Sequence, residues 1–377
     1  MPQRSSPLHV LQVIHSLHLG GAERVVRDLA TELAGVGFRS SVCCLDALGE
    51  FGEELRDRGL RVDVLGRRTG LDLRLVWLLA KRYRELGVHI VHAHQYTPYF
   101  YAATARLVTP WVRVVFTEHG RHYPDHLRRG RALYNQLLRR VTTRYTAVSH
   151  ATRDSLRRFE RMPSTEIQVI YNGVDLERET AGARAVARMR LGIDATTPVV
   201  LSVGRLDRVK DFATLMRAAA VALRTIPDLT VLIAGAGDNQ YRAELIALTE
   251  ALQLEGHVRF LGARRDVADL LAVCDVFALT SVSEGASMTI LEAMAASCPV
   301  LATAVGGNIE LVVPGMTGLL VPAGNVPGIA AALVELLTNT EKARALGAAG
   351  RRRVAERFSR QATFAAYRRL YEEAVAG

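Results

Sequence analysis

Two glutamates, Glu284 and Glu292, stand eight positions apart in the stretch SEGASMTILEAMA, which is otherwise small and apolar. A carboxylate among Ala, Met, Ile and Leu is costly to bury without a polar partner, so this stretch calls for something polar to meet it. Glu284 falls in a loop after the strand-like run VFALT, and residues 287–297 read as a helix. Eight helical residues span about 12 Å, and the distance here is shorter because Glu284 precedes the helix. That is too far for the two groups to share one proton. It suits two hydroxyl-binding carboxylates at opposite ends of an elongated ligand. Between them Gly285, Ala286, Ser287, Met288 and Thr289 bring backbone amides to a helix start, where phosphate is favoured. Hydroxyls, diphosphate and hydroxyls again is the order of groups in a nucleotide sugar. The plainer reading makes Glu284 a helix cap and Glu292 an exposed helix residue; the apolar neighbours of Glu292 count against it.

A second constellation lies in SVGRLDRVKDFATLMRAA, residues 202–219. Arg205 follows a buried strand and Lys210 precedes the next helix, so two cations flank a helix N-terminus whose amides add to their attraction for an anion. Arg can grip phosphate oxygens bidentately, whereas Lys acts as a point charge. The alternative is a pair of surface cations beside a loop. Gly20-Gly21, between the first strand and the first helix, is a further phosphate-compatible turn and a weak signal alone. His119 in FTEHGRHY follows another strand and could be a reacting-centre residue or a satisfied core histidine. His92 and His94 in VHAHQY could be ligand-facing or structural.

The elements that would carry these residues alternate between strand and helix. LHVLQVI reads as a strand, and Gly20-Gly21 opens a helix whose Val25, Val26, Leu29, Ala30 and Leu33 recur at helical spacing. Further strands are expected around 40–45, 61–65, 88–92, 112–116, 143–148 and 166–170. After the turn signal Asn172-Gly173 the rhythm restarts near 198–204, 229–235, 257–261, 275–279, 299–303 and 317–321. Strands fed by crossover helices predict parallel sheets covered on both faces. The expectation is therefore α/β, with two Rossmann-like domains facing across a cleft. The first covers 1–175 and the second 176–359, so two ligands would meet between them. An amphipathic last helix, 360–377, is expected to pack back on the first domain through Phe364, Tyr367, Leu370 and Tyr371.

Bulk composition narrows the class. The 377 residues are 49% hydrophobic and 23% charged, which fits a folded chain of about two domains. No apolar run reaches the roughly 20 residues of a spanning helix, and His9, Gln12 and His15 interrupt the only signal-like stretch. Cys43, Cys44, Cys274 and Cys298 lack metal-site spacing and read as small buried hydrophobes in a reducing cytoplasm. The net charge of +10 is concentrated: residues 121–161 hold eleven Arg against three Asp/Glu. Such a patch attracts anionic lipid, nucleic acid or phosphorylated ligands, or is simply a solvated face.

Taken in order, GGAERVV, TEHG, YNGVD, GRLDRVKD and SEGASMTILEAMA resemble a retaining glycosyltransferase of family 4, with the two-domain GT-B fold, over essentially the whole chain. The resemblance implies that Arg205 and Lys210 hold the donor diphosphate, that Glu292 accepts ribose hydroxyls and that Glu284 bonds the donor sugar. It implies that Gly20 and Gly21 approach the phosphates or acceptor, that Arg264 in LGARRDV lies in the segment that meets the nucleobase, and that His119 orients the sugar or reacting centre. No cofactor and no metal are expected, since no Asp-x-Asp stands where a metal would bridge a diphosphate. UDP is the default donor base. An acceptor glycan or lipid-linked glycan and an anionic membrane surface are the other expected partners; nucleic acid is not. Many members read Glu-Gly-Phe-Gly where this chain has Glu284-Gly285-Ala286-Ser287, which puts a side chain beside the sugar. The Ser-Met variant resembles enzymes that build exopolysaccharides and lipid-linked glycans. Rival readings are a GT-B nucleotide-sugar epimerase and a noncatalytic basic protein binding membrane or nucleic acid. A nicotinamide dehydrogenase is set aside, because SLHLGGAERV lacks Gly-x-Gly-x-x-Gly.

Overall fold

Among the described residues thirteen strands form, each where the alternation places one, and they sort into two all-parallel sheets. A computed structural model describes residues 7–120, 125–127, 129–162, 166–176 and 183–376. The chain divides into two units, Met1–Asn172 with Gln361–Gly377, and Gly173–Arg360. Val174 bridges to Ser359 and Asp175 forms an ion pair with Arg360 at 2.9 Å, which ties residues 173–175 to the second unit.

In the first unit the strands are β1 (Leu8–Ser16), β2 (Phe38–Ala47), β3 (Arg61–Val64), β4 (Ile90–His94), β5 (Arg113–Glu118), β6 (Arg144–Ala147) and β7 (Ile167–Val169), in the order β3-β2-β1-β4-β5-β6-β7. One face of this sheet is apolar: Leu11, Val13, Val91, Ala93, Val114, Phe116, Tyr145 and Ala147 join one core cluster. The two-residue strand period then sends Gln12, His92, His94, Thr117 and Thr146 to the opposite face. Register lines them up, with Gln12 beside His92, His94 beside Thr117, and Thr117 beside Thr146. All five are fully buried. The last helix, Arg360–Ala376, covers them with Tyr367 and Tyr371, so it packs back on the first unit as its amphipathic pattern requires.

The second unit contains β8 (Val199–Val203), β9 (Thr230–Ala234), β10 (Val258–Gly262), β11 (Val276–Leu279), β12 (Val300–Thr303) and β13 (Leu319–Val321), in the order β10-β9-β8-β11-β12-β13. Both sheets thus reverse their strand order at one point, between β1 and β4 and between β8 and β11. Ligands of open parallel sheets bind beyond the carboxyl ends of the strands at such points.

The helix expected at 287–297 is shorter, Met288–Ala295. Ser287 stands outside it as the N-cap, its Oγ accepting from the Ile290 amide at 3.3 Å, because a serine hydroxyl satisfies an orphan first-turn donor. Ser297 has φ of 57°, a left-handed conformation that does not continue the helix. All four cysteines are buried and free, and burial pushes the Cys43 and Cys44 thiols up, so they behave as inert packing groups. Among the described residues, no helix is long and apolar enough to cross a membrane.

Candidate active site

In the second unit, the loops after β8 and β11 are stitched together at the reversal point. The Val282 amide donates to the Val209 carbonyl at 2.8 Å, and the Thr280 hydroxyl donates to the Asp211 carbonyl at 2.9 Å. Asp207 caps a short turn (Arg208–Lys210) by accepting from the Val209 amide at 3.0 Å. Asp211 caps the helix Phe212–Ala222 through the Thr214 amide. These caps set the backbone on both sides of Lys210. Its Nζ donates to Glu284 Oε1 at 2.5 Å, and the Ser281 hydroxyl donates to the same oxygen at 2.5 Å. The pair is largely buried, with Glu284 9% and Lys210 22% exposed. The attraction between opposite charges at that distance offsets the burial cost of the carboxylate.

Arg205 is treated differently. Its side chain is 69% exposed and reaches only Asp207 Oδ2, at 3.0 Å. An exposed pair of this kind contributes little, so the guanidinium can be redirected to a ligand at small cost. Gly285, Ala286, Ser287 and Met288 are buried, and Thr289 is half-buried, at the start of the helix that carries Glu292. First-turn amides of a helix have no intrahelical acceptor. Glu292, one turn further on, is half-buried, neither sealed in the core nor turned to bulk water. Arg264 is committed to Asp266 through a two-pronged ion pair, which holds the Asp266 carboxyl below its usual range.

Sequence reasoning assigns no role to two pairs of glycines in this region. A Cβ on Gly306 would sit 1.9 Å from the Glu284 carbonyl oxygen, and one on Gly307 would sit 1.7 Å from that of Gly285. The Gly307 amide also donates to the Glu284 carbonyl, at 3.2 Å. Likewise a Cβ on Gly235 would meet the Gly204 carbonyl at 1.8 Å, and one on Gly237 would meet the Leu206 carbonyl at 2.4 Å. The loops that present Arg205 and Glu284 are therefore backed by bare glycine backbone. The signals are AGAGD after β9 and VGGN after β12, each a glycine pair at the end of a strand.

The sites of the first unit are built from other materials. Gly20 is the N-cap of the helix Gly21–Gly35, and the Glu23 carboxylate lies against it, 2.2 Å from where a Cβ would stand. His119, just beyond β5, is half-buried, and its Nε2 meets His94 Nδ1 at 2.8 Å. His92 and His94 are fully buried and hydrogen-bonded on both ring nitrogens, the arrangement expected of structural histidines. Desolvation lowers the pKa of all three rings, and that of His119 to about 4. Among the described residues, no cluster of three or more His, Cys, Asp or Glu is placed to hold a metal.

Residues 19–178 match the family model described as Glycosyltransferase Family 4, and residues 184–353 match that described as Glycosyl transferases group 1. The chain belongs to the family 4 glycosyltransferases. Within that family it is 26% identical to the N-acetyl-alpha-D-glucosaminyl L-malate synthase of Bacillus anthracis, over 81% of this chain and 80% of that one. It is 37% identical to a D-inositol 3-phosphate glycosyltransferase of Mycobacterium sp. (strain KMS) over 46% of this chain, a match that spans only 40% of that relative's length. Among solved structures, the HepE protein of Anabaena in complex with UDP and glucose superimposes with a TM-score of 0.87 at 26% identity, covering 96% of this chain and 99% of that one. The fold of this glycosyltransferase is thus GT-B, the fold of HepE, which is also solved with UDP-glucose.

Proposed function

We propose that this glycosyltransferase moves a sugar from a UDP-sugar to an acceptor hydroxyl with retention and without a metal, in the synthesis of an exopolysaccharide, a lipid-linked glycan or a glycolipid. The observation that carries the reading is the Lys210–Glu284 pair at the reversal point of the second sheet, with Arg205 beside it. An ammonium has three donors, so Lys210 can hold Glu284 and a phosphate oxygen together. Both bonds to Glu284 fall on Oε1, which leaves Oε2 to accept from sugar hydroxyls. Glu292 takes the ribose hydroxyls, and Arg264 lies by the base. In the first unit, His119 contacts the sugar and Gly20-Gly21 approaches the phosphates.

As the bond from the anomeric carbon to the diphosphate breaks, negative charge grows on the leaving oxygen. Lys210, Arg205 and the amides at the start of the helix Met288–Ala295 are fixed donors for that charge, which is preorganised electrostatic stabilisation. They do the work a bridging metal would otherwise do. The departing phosphate then takes the proton of the acceptor hydroxyl attacking on the same face. The fit to HepE, solved with UDP and glucose, supports the choice of base.

A thermal-shift screen of UDP-, GDP- and ADP-sugars tests the donor, since a ligand that binds only the folded state raises apparent stability. UDP-sugars should shift the midpoint most, and the best of them should be slowly hydrolysed. A response confined to GDP- or ADP-sugars would refute the base, and accumulation of an isomerised sugar would favour the epimerase.

The partner surface is proposed at the helix Arg129–Leu138, on the cytoplasmic membrane face. Leu133 and Leu137 are exposed one turn apart, beside exposed Arg129, Arg139 and Arg140. Apolar side chains set among cations suit an anionic bilayer surface. Of the basic segment, residues 121–124 and 128 lie outside the described residues. Flotation with phosphatidylglycerol vesicles should be lost in Leu133→Asp/Leu137→Asp and at high salt; unchanged flotation in both would remove this face from consideration.

A further inference from the structure

The buried polar stripe of the first sheet is one continuous hydrogen-bond chain, and its sense is forced from one end. The Phe116 carbonyl can only accept, so the Thr146 hydroxyl donates to it, at 3.1 Å. Thr146 has then spent its one proton, and Thr117 must donate to it. Thr117 in turn accepts from His92 Nε2, at 2.6 Å. A neutral ring protonated on Nε2 is bare on Nδ1, so the Tyr371 hydroxyl donates to His92 Nδ1 at 2.7 Å. Tyr371 can then only accept from the Gln12 amide nitrogen, at 3.5 Å, which turns Gln12 Oε1 toward His94 Nε2 at 2.7 Å. His94 is protonated there and bare on Nδ1, where it accepts from His119 Nε2 at 2.8 Å. The last ring in the chain is left with its proton on Nε2 and a lone pair on Nδ1. That Nδ1 atom is buried and, among the described residues, has no hydrogen-bond partner.

We propose that Gln12, His94 and Tyr371 are positioning residues that hold His119 in the Nε2–H tautomer, so that its Nδ1 can bind only a group that donates, a sugar hydroxyl and not a phosphate oxygen. The final helix therefore reaches the site through Tyr371, some 250 residues away in sequence from His119. Burial supports the assignment independently, because desolvation keeps all three rings neutral near pH 7. The functional half of the proposal rests on the role given to His119 above; the tautomer does not.

The test uses the full chain labelled with 15N-histidine, with long-range proton–nitrogen correlations reading each ring and His119→Gln assigning its signals. Wild type should show His119 protonated on Nε2 and bare on Nδ1, without any substrate. Finding the proton on Nδ1, or an imidazolium at pH 7, overturns the proposal. Gln12→Glu still accepts from His94 and should keep the wild-type pattern. Gln12→Leu and Tyr371→Phe break the chain and should mix the two tautomers. Tyr367→Phe, which removes a side branch 3.4 Å from Thr117, should not. If Gln12→Leu and Tyr371→Phe both retain a single wild-type tautomer, the chain does not set it. Release of UDP from UDP-glucose adds the functional arm: Gln12→Leu should lower kcat by about tenfold with KM for the donor little changed. Mixed tautomers with an unchanged kcat would sink the positioning role. A wild-type rate in His119→Gln would instead refute the reading of His119 while leaving the tautomer assignment standing.

Discussion

The two units share one strand order and one reversal point but furnish it with opposite chemistry. The second puts formal charges there, the Lys210–Glu284 pair and Arg205, on loops backed by glycine. The first lines its buried polar stripe with neutral groups, an amide and three histidines kept uncharged by burial, under a helix from the far end of the chain. Charge belongs where charge develops. A leaving diphosphate needs cations close by, and a carboxylate must sit beside them to hold the sugar. A sugar hydroxyl needs only an oriented acceptor. One fold can thus carry two kinds of lining, because the chemistry resides in the side chains at the strand ends and not in the sheet.

The sharpest way to break this comparison is to remove charge from the second unit. Lys210→Ala should lower kcat/KM by about 100- to 1000-fold, the loss typical of one preorganised donor to a developing oxyanion. It also strands the buried Glu284 carboxylate, so the double variant with Glu284→Gln should fold more stably than Lys210→Ala alone. Arg205→Ala should cost activity without that stability penalty, because Arg205 is exposed and weakly paired. Steady-state kinetics and thermal midpoints on the four proteins separate the cases. Activity near wild type in Lys210→Ala would place the charge chemistry elsewhere.

Acid should act on the first unit. Ten of the eleven histidines precede residue 173, and burial lowers the pKa of His9, His92, His94 and His119. Such a ring stays neutral in the folded chain while its unfolded counterpart takes up a proton below about 6.5. The unfolded state then binds more protons, so stability is full above pH 6.5 and falls as pH drops toward 4, the value reached by His119. The slope can approach 1.4 kcal/mol per pH unit for each such ring. Urea unfolding at pH 7 and pH 5, read by pulsed hydrogen exchange on peptides from each unit, should show 1–172 losing protection first. Equal losses in both units would mean that the histidines are not buried neutral.

Much of the architecture is legible in the amino-acid sequence alone. Most strands fall on short apolar runs, as strands covered on both faces tend to, while the first sheet keeps a buried polar stripe through Gln12, His92, His94, Thr117 and Thr146. Arg205, Lys210 and Glu284 are legible because charge beside apolar runs needs a reason. The pairing of Lys210 with Glu284 is not, since their 74-residue separation closes only when β8 and β11 become neighbours. The histidine chain is illegible for the same reason: Gln12, His92, Thr117 and Tyr371 come from four elements, and only register and the last helix bring them together. Apolar periodicity makes the helix at Ser287 too long at both ends, where a serine cap and the left-handed Ser297 compete with it.

The glycines allow the smallest test, and it sharpens the comparison at the level of the backbone. In the second unit a Cβ on Gly307 would meet the Gly285 carbonyl oxygen at 1.7 Å, and the backbone carbonyl can withdraw only by moving the loop that carries Glu284. In the first unit a Cβ on Gly20 would meet the end of the Glu23 side chain at 2.2 Å, and a side-chain end can yield by a change of rotamer where a backbone carbonyl cannot. The two contacts look alike on distance, yet they differ in what has to yield. Gly307→Ala should therefore cost about 1–3 kcal/mol, the usual penalty for overpacking, and weaken UDP-sugar binding with it. Gly20→Ala should be close to neutral in stability, within about 0.5 kcal/mol, as for a change that strains no fixed group. Urea midpoints and UDP titrations on the two variants decide the matter. A Gly20→Ala protein that unfolds as readily as Gly307→Ala would show that Glu23 is fixed, and that the first unit too is built around a charge at its reversal point.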